Sequence, residues 1–128
     1  MEITNIIKIF SDQNRLRIIN LIKDDLLCVG EIQTILNIKQ SNVSRHLEKL
    51  KALDILIQQK QAQWIYYKLD KEKLKQYAFI TDLLYQDINN SQIYKEDLSK
   101  LEKYKNSKMC CQNLRDIGFD FNKLNFKK

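Results

Sequence analysis

The chain has 128 residues, 44% of them apolar, with no proline, two glycines and a formal charge of +6. That is one domain's worth of chain with ample material for a single core, and no repeat or low-complexity block divides it. No apolar run approaches the roughly 20 residues that span a bilayer and no signal-peptide pattern opens the chain, so no membrane partner and a cytoplasmic location are expected.

Three cysteines, an odd number in a reducing compartment, argue against a disulfide framework and leave thiols for packing, ligation or redox chemistry. The positive balance favours an anionic partner such as nucleic acid. Leu and Ile at helical spacing predict a mainly α fold with a small β-hairpin.

Ile3, Ile6, Ile7 and Phe10 mark one face of a first helix. Ser11 and Asp12 supply cap chemistry for a second, Arg15 to about Lys23, whose apolar residues leave little polar surface. Leu26 to Ile32 leads into a third helix carrying Ile32, Ile35 and Leu36, and Asn37 suits the left-handed position at its end.

From Gln33 to Lys51 the pattern is that of a helix-turn-helix. In its second helix Val43, Leu47 and Leu50 point inward, and Ser41, Ser44, Arg45 and Glu48 point outward. An ordinary solvated face carries Glu and Lys at i,i+4 spacing; this one offers small hydroxyls with Gln40, Asn42 and Arg45, groups that read base edges or hold phosphates. Lys39 caps the helix poorly and opposes its dipole, a cost of up to about 1 kcal/mol that a DNA phosphate would offset. His46, at the edge of the apolar stripe, is expected in a boundary hydrogen bond or on a phosphate.

Asp54 ends the helix, and Ile55 to Lys60 and Trp64 to Leu69 alternate as a hairpin, a wing whose Lys60, Gln61, Gln63 and Lys68 can follow a phosphate backbone. A helix from Lys71 to Ile88 follows, its apolar stripe broader than one core needs. With the first helix it suggests a homodimer that presents two recognition helices one DNA turn apart, about 34 Å. A weaker amphipathic segment runs from Ile93 to Lys105, and the tail holds Cys110 and Cys111 with Phe119, Phe121 and Phe126. The expected division is a DNA-binding and dimerisation domain, residues 1–88, and a C-terminal extension, residues 89–128.

The runs FSDQNRLRIINLI, LLCVGEI, KQSNVSRHLEKLKALDIL and WIYYKL, in this order, resemble the ArsR/SmtB family of winged-helix repressors from Ile3 to Ile88. The resemblance implies a dimeric repressor of double-stranded operator DNA that is released when a metal ion, metalloid or oxidant binds. This chain has Gln13 where the family usually has proline, Asp54 and Ala62 where it has glycine, and Lys39 where it has a serine cap. Its Cys28-Val29-Gly30 also lacks the second thiol of the Cys-Val-Cys that arsenic and soft-metal sensors carry.

A lone cysteine at a helix start is often only a small buried hydrophobe. Adjacent cysteines in a polar basic tail are poorly explained by packing, so Cys28, Cys110 and Cys111 are expected to form a three-sulfur site for As(III) or Sb(III) as effector, with Cd(II) or Pb(II) possible. No cofactor is needed for folding. With one histidine, a four-ligand structural zinc site is disfavoured.

Two alternatives remain at this level. The same cysteines can sense oxidants or persulfide through a bridge from Cys28 to Cys110 or Cys111, or the winged helix can dock proteins without binding DNA. An enzyme is not expected, because no nucleophile-base pair, paired-acid constellation or phosphate-binding glycine loop is present.

Overall fold

The computed structural model describes residues 2–111. Phe119, Phe121 and Phe126 lie outside the described residues. The first helix, α1 (Ile3–Ile9), buries Ile6, Ile9 and Phe10 and leaves Ile3 and Ile7 about half exposed. Asp12 starts α2 (Gln13–Ile22) by accepting the Arg15 backbone N–H at 3.0 Å. Ile18, Ile19, Asn20, Leu21 and Ile22, which together span the circumference of α2, are wholly buried. That is what a helix packed on several sides requires, and α3, α4, α7 and β3 all touch it.

Arg15 is buried beside the C-terminus of α1, where its guanidinium donates to the carbonyls of Ile9 at 2.8 Å and Lys8 at 3.4 Å. It satisfies acceptors that a helix end otherwise leaves open. After α2 comes β1 (Leu27–Cys28), a strand the sequence pattern did not announce. Two residues are too few to show alternation; β1 exists because it pairs with the far strand of the wing.

The helix-turn-helix follows as α3 (Val29–Leu36) and α4 (Gln40–Ala52). Asn37 takes φ 55° and ψ 47°, the expected left-handed end of α3. The wing is β2 (Leu56–Gln61) and β3 (Trp64–Leu69), in sheet order β1-β3-β2, all antiparallel. Gln61 pairs with Trp64 across a two-residue turn in which Ala62 has φ 55°, the position such turns ordinarily give to glycine. Asp54 at φ 58° likewise fills a glycine-type position where α4 turns into the wing.

The helix expected from Lys71 to Ile88 is divided. Asp70 caps a short α5 (Lys71–Leu74), Tyr77 at φ −110° and ψ 84° interrupts the path, and α6 (Ala78–Tyr85) runs on to a 3₁₀ turn, Asp87–Asn90. The reason is geometric. At about 100° per residue an unbroken helix would set Leu74 and Ile80 about 120° apart, at opposite margins of one stripe that also holds Leu84 and Ile88. The break brings all four into the core, each no more than 3% exposed.

Last, α7 (Gln92–Asn106) lies on α2 and α3 and adds Leu101 and Tyr104 to the same apolar cluster as the helices before it. Leu101 and Tyr104, from the segment expected as an extension, thus pack in one cluster with the winged helix. A bidentate pair fixes α7 to α2: the Arg17 guanidinium donates to Asp97 at 2.8 and 3.0 Å. Asp97 is 1% exposed.

Candidate nucleic-acid interface and thiol cluster

In α4 the inward row is as the period requires, with Val43 and Leu50 wholly buried and Leu47 nearly so. Opposite it Lys39, Gln40, Ser41 and Arg45 are exposed, and Asn42 and Ser44 are half-buried at the margins. Arg45 donates to the Asn42 side-chain oxygen at 3.3 Å, so the two are pre-aligned on one surface. Lys39 holds the N-cap position without any side-chain cap bond, which leaves its ammonium to solvent or to an anion. Lys60, Gln61 and Gln63 are exposed at the tip of the wing.

His46 lies elsewhere. It is 3% exposed and faces α2, with Nδ1 3.4 Å from the Arg15 guanidinium and Nε2 3.9 Å from the Asp12 carboxylate. Of its two expected roles, this geometry gives the boundary hydrogen bond and removes His46 from the outward set, because burial denies it a phosphate.

Burial lowers the His46 pKa below its ordinary 6.5, against the attraction of Asp12 and with the help of Arg15. The folded state therefore binds fewer protons than the unfolded chain. Its contribution to stability is complete above pH 6.5 and is lost as pH falls through that value toward the folded one. Urea midpoints at about pH 7.5 and about pH 5.5 are expected to differ, and His46→Gln to narrow the difference.

The thiols gather at the other end of the helix-turn-helix. Cys28 is the N-cap of α3 and the last residue of β1, opposite Tyr66 of β3. Cys111, delivered from beyond α7, is joined to it by a disulfide, and both are 3% exposed. Composition had argued against a disulfide framework; one bond forms because two distant segments converge on a single helix end. Cys110 is exposed, within electrostatic reach of Tyr66 and Tyr104. The sequence placed three sulfurs together, and the structure brings two of them into contact.

Pattern reading missed Glu31 and Tyr104. Glu31 is 5% exposed; its Oε1 accepts the Cys28 backbone N–H at 3.0 Å and its Oε2 accepts the Tyr104 hydroxyl at 2.6 Å. The donor atoms of Cys28, Glu31 and Cys111 all lie within 4.8 Å of one another. Burial raises the Glu31 carboxyl above its ordinary range, and burial with the bond to Glu31 raises the Tyr104 phenol. The available signal was spacing: Glu31 is three residues after Cys28, at N3 of the helix that Cys28 caps.

An open groove of about 680 Å³ connects the thiol end to the reading end. Cys28, Cys111, Gln33, Gln40, Gln63 and Trp64 are among the residues that line it. At position 30, where the resembling sensors carry their second cysteine, an added Cβ would lie 3.9 Å from the Cys28 sulfur, an ordinary contact. Space does not demand glycine there.

Comparison with known proteins agrees with this architecture. Residues 12–58 match the model of the arsR family of bacterial regulatory proteins. The chain is 39% identical over 69 residues to the arsenic resistance transcriptional regulator ArsR2 of Pseudomonas putida, covering 53% of this chain and 60% of that protein. It is 34% identical over 73 residues to the cadmium resistance transcriptional regulatory protein CadC of Listeria innocua, covering 56% and 61%. The match thus spans about three fifths of the length of these two relatives.

To the transcriptional activator HlyU of Vibrio cholerae it is 30% identical over 84 residues, covering 66% of this chain and 78% of HlyU. The HlyU structure superposes with a TM-score of 0.56 and 29% identity, over 65% of this chain and 90% of HlyU. Sequence, fold and the helix-turn-helix with its wing agree, and the chain belongs to the arsR family of winged helix-turn-helix regulatory proteins.

Proposed function

We propose that this protein is a transcriptional repressor that binds double-stranded operator DNA as a homodimer and is released by an effector acting on its cysteines. The observation that carries the reading is the outward face of α4, where Lys39, Gln40, Ser41 and Arg45 stand exposed beside the exposed wing residues Lys60, Gln61 and Gln63. In this reading α4 enters the major groove, Gln40, Asn42 and Arg45 meet base edges, and Lys39 and the wing meet phosphates.

The dimer forms through the apolar residues that α1 and α6 leave uncovered, Ile3, Ile7, Phe79 and Tyr85, which are 38–53% exposed. The effector is As(III) or Sb(III), held by Cys28 and Cys111 with Cys110 as the third sulfur. Binding there strains the first turn of α3 and tilts α4 from its groove. Arsenic and cadmium appear in the names of two relatives, which supports a thiophilic effector.

The disulfide favours a second reading of the switch. Two thiols close to a disulfide by giving two electrons and two protons to an oxidant; with hydrogen peroxide the products are the disulfide and two waters.

Mobility-shift titration of the reduced chain on duplex DNA from upstream of its own gene tests both. Binding should weaken steeply with salt, and Arg45→Ala should reduce it roughly tenfold with the dimer intact. Release by arsenite supports the first switch and release by peroxide the second. Absence of salt-dependent binding overturns the repressor reading.

A further inference from the structure

We propose that Arg15 and His46 are positioning residues that hold α4 at its reading angle, and that a proton on His46 breaks the hold and releases the DNA. The proposal rests on the operator-binding reading above and adds to it an acid response independent of the cysteines.

The geometry is a three-way fork. Arg15 is 8% exposed, and each of its guanidinium nitrogens meets a different acceptor. Nε donates to the Ile9 carbonyl at 2.8 Å, Nη2 to the Lys8 carbonyl at 3.4 Å, and Nη1 lies 3.4 Å from Nδ1 of His46. The guanidinium is flat and rigid, so none of the three contacts moves alone. Two of them lie at the end of α1, the helix that leaves Ile3 and Ile7 uncovered, and the third lies on α4 beside the exposed Arg45. One side chain of α2 therefore links the proposed dimer face to the reading face.

The contact with His46 depends on its protonation. A guanidinium has only donors, so Nδ1 is the accepting nitrogen, and the neutral ring carries its hydrogen on Nε2, toward the Asp12 carboxylate 3.9 Å away. A proton added at Nδ1 removes the acceptor and sets two cations against each other in a buried contact. The charged groups that act on the ring are Asp12 and Arg15 from α2 and Arg45 and Lys49 from α4 itself. Only Asp12 favours the charged ring, and its side chain is 42% exposed, so water and salt screen it. Burial, more than any of these charges, lowers the His46 pKa below 6.5.

Above pH 6.5 the ring is neutral and the fork intact. As pH falls through the lowered value, the fork opens and α4 loses its tie to α2 and α1. The sign is opposite to the general effect of acid on a chain of charge +6, which gains positive charge and binds any duplex more tightly.

The test is an anisotropy titration of the reduced full chain on duplex DNA from upstream of its gene and on a scrambled duplex, at constant salt and at about pH 7.5 and about pH 5.5. Affinity for the first duplex should fall about tenfold or more at the lower pH, while affinity for the scrambled one holds or rises. His46→Gln keeps an acceptor for Arg15 and has no proton to gain, so its affinity should not differ between the two pH values. Arg15→Lys keeps the charge and loses the fork, and should reduce the preference for the first duplex about tenfold. A wild-type affinity that does not fall in acid, or a His46→Gln variant that falls with it, overturns the proposal.

Nuclear magnetic resonance of the DNA-free chain separates this result from the repressor reading. The backbone amides of Ile9 and of residues 40–45 should titrate together with the His46 ring, and cease to do so in His46→Gln. If specific DNA binding is absent at every pH, the repressor reading fails and these amides decide the coupling. Amides of α4 that ignore the His46 titration overturn the proposal, as does acid unfolding, followed by circular dichroism, that precedes any such shift.

Discussion

Reduction of the Cys28–Cys111 bond lowers the stability of the fold by about 4 kcal/mol, because the bond closes a loop across a sequence separation of 83 residues. The cost arises mainly in the unfolded state, which regains the freedom of most of the chain. In melting experiments the oxidised protein should unfold on the order of 10 °C above the reduced one. Cys111→Ser should melt near the reduced wild type and show no further response to reductant. If oxidised and reduced wild type melt together, the two cysteines do not pair in solution, and the oxidant switch loses its support. The same comparison bears on signalling, since the bond fastens Cys111, just beyond α7, to the first turn of α3.

Asp97→Ala should cost about 3 kcal/mol, among the largest losses from a single substitution outside the apolar core. It removes the carboxylate that receives both arms of the Arg17 guanidinium and leaves that charge partly buried between α2 and α7. The pair itself is not expected to be worth that amount. Replacing both partners together, Arg17→Met with Asp97→Leu, should recover most of the loss, because neither charge then remains to be desolvated. Urea denaturation of the three variants separates these terms. A single transition in Asp97→Ala at a lower midpoint would show that α7 unfolds with the winged helix. Two transitions would instead show that residues beyond 88 form a unit of their own.

The legible parts of this sequence were those with local causes. Val43, Leu47 and Leu50 announce the inner face of α4 by period, Asn37 announces a left-handed helix end by its side chain, and Asp12 announces a cap. Less legible was whatever depended on distant partners. The strand at Leu27 and Cys28 exists only because Tyr66 and Tyr67 pair with it. The break at Tyr77 answers to the position of the core and carries no proline or glycine to mark it. Within the thiol site, Cys28 and Cys111 were nameable because cysteine is rare here, whereas Glu31 was one of 16 acidic residues and Tyr104 one of six tyrosines. Their burial and their mutual bond single them out, and neither is a property of sequence. His46 kept two roles at the level of sequence, because one helical period cannot distinguish the edge of an apolar stripe from its interior.

The wing carries a consequence of its turn chemistry. Asp54 and Ala62 bracket β2 with positive φ, each in a backbone region that costs a side chain about 1 kcal/mol relative to glycine. All of β2 except Leu56 is exposed, so little packing holds it against that strain. Such a strand belongs to the part of a protein that opens first, and its amides exchange with solvent by local fluctuation while those of α2 wait for global unfolding. A phosphate backbone laid along the wing would suppress those fluctuations. Part of the binding free energy would then be used to order the strand, making affinity at the wing tip a measure of how stiff that strand is beforehand.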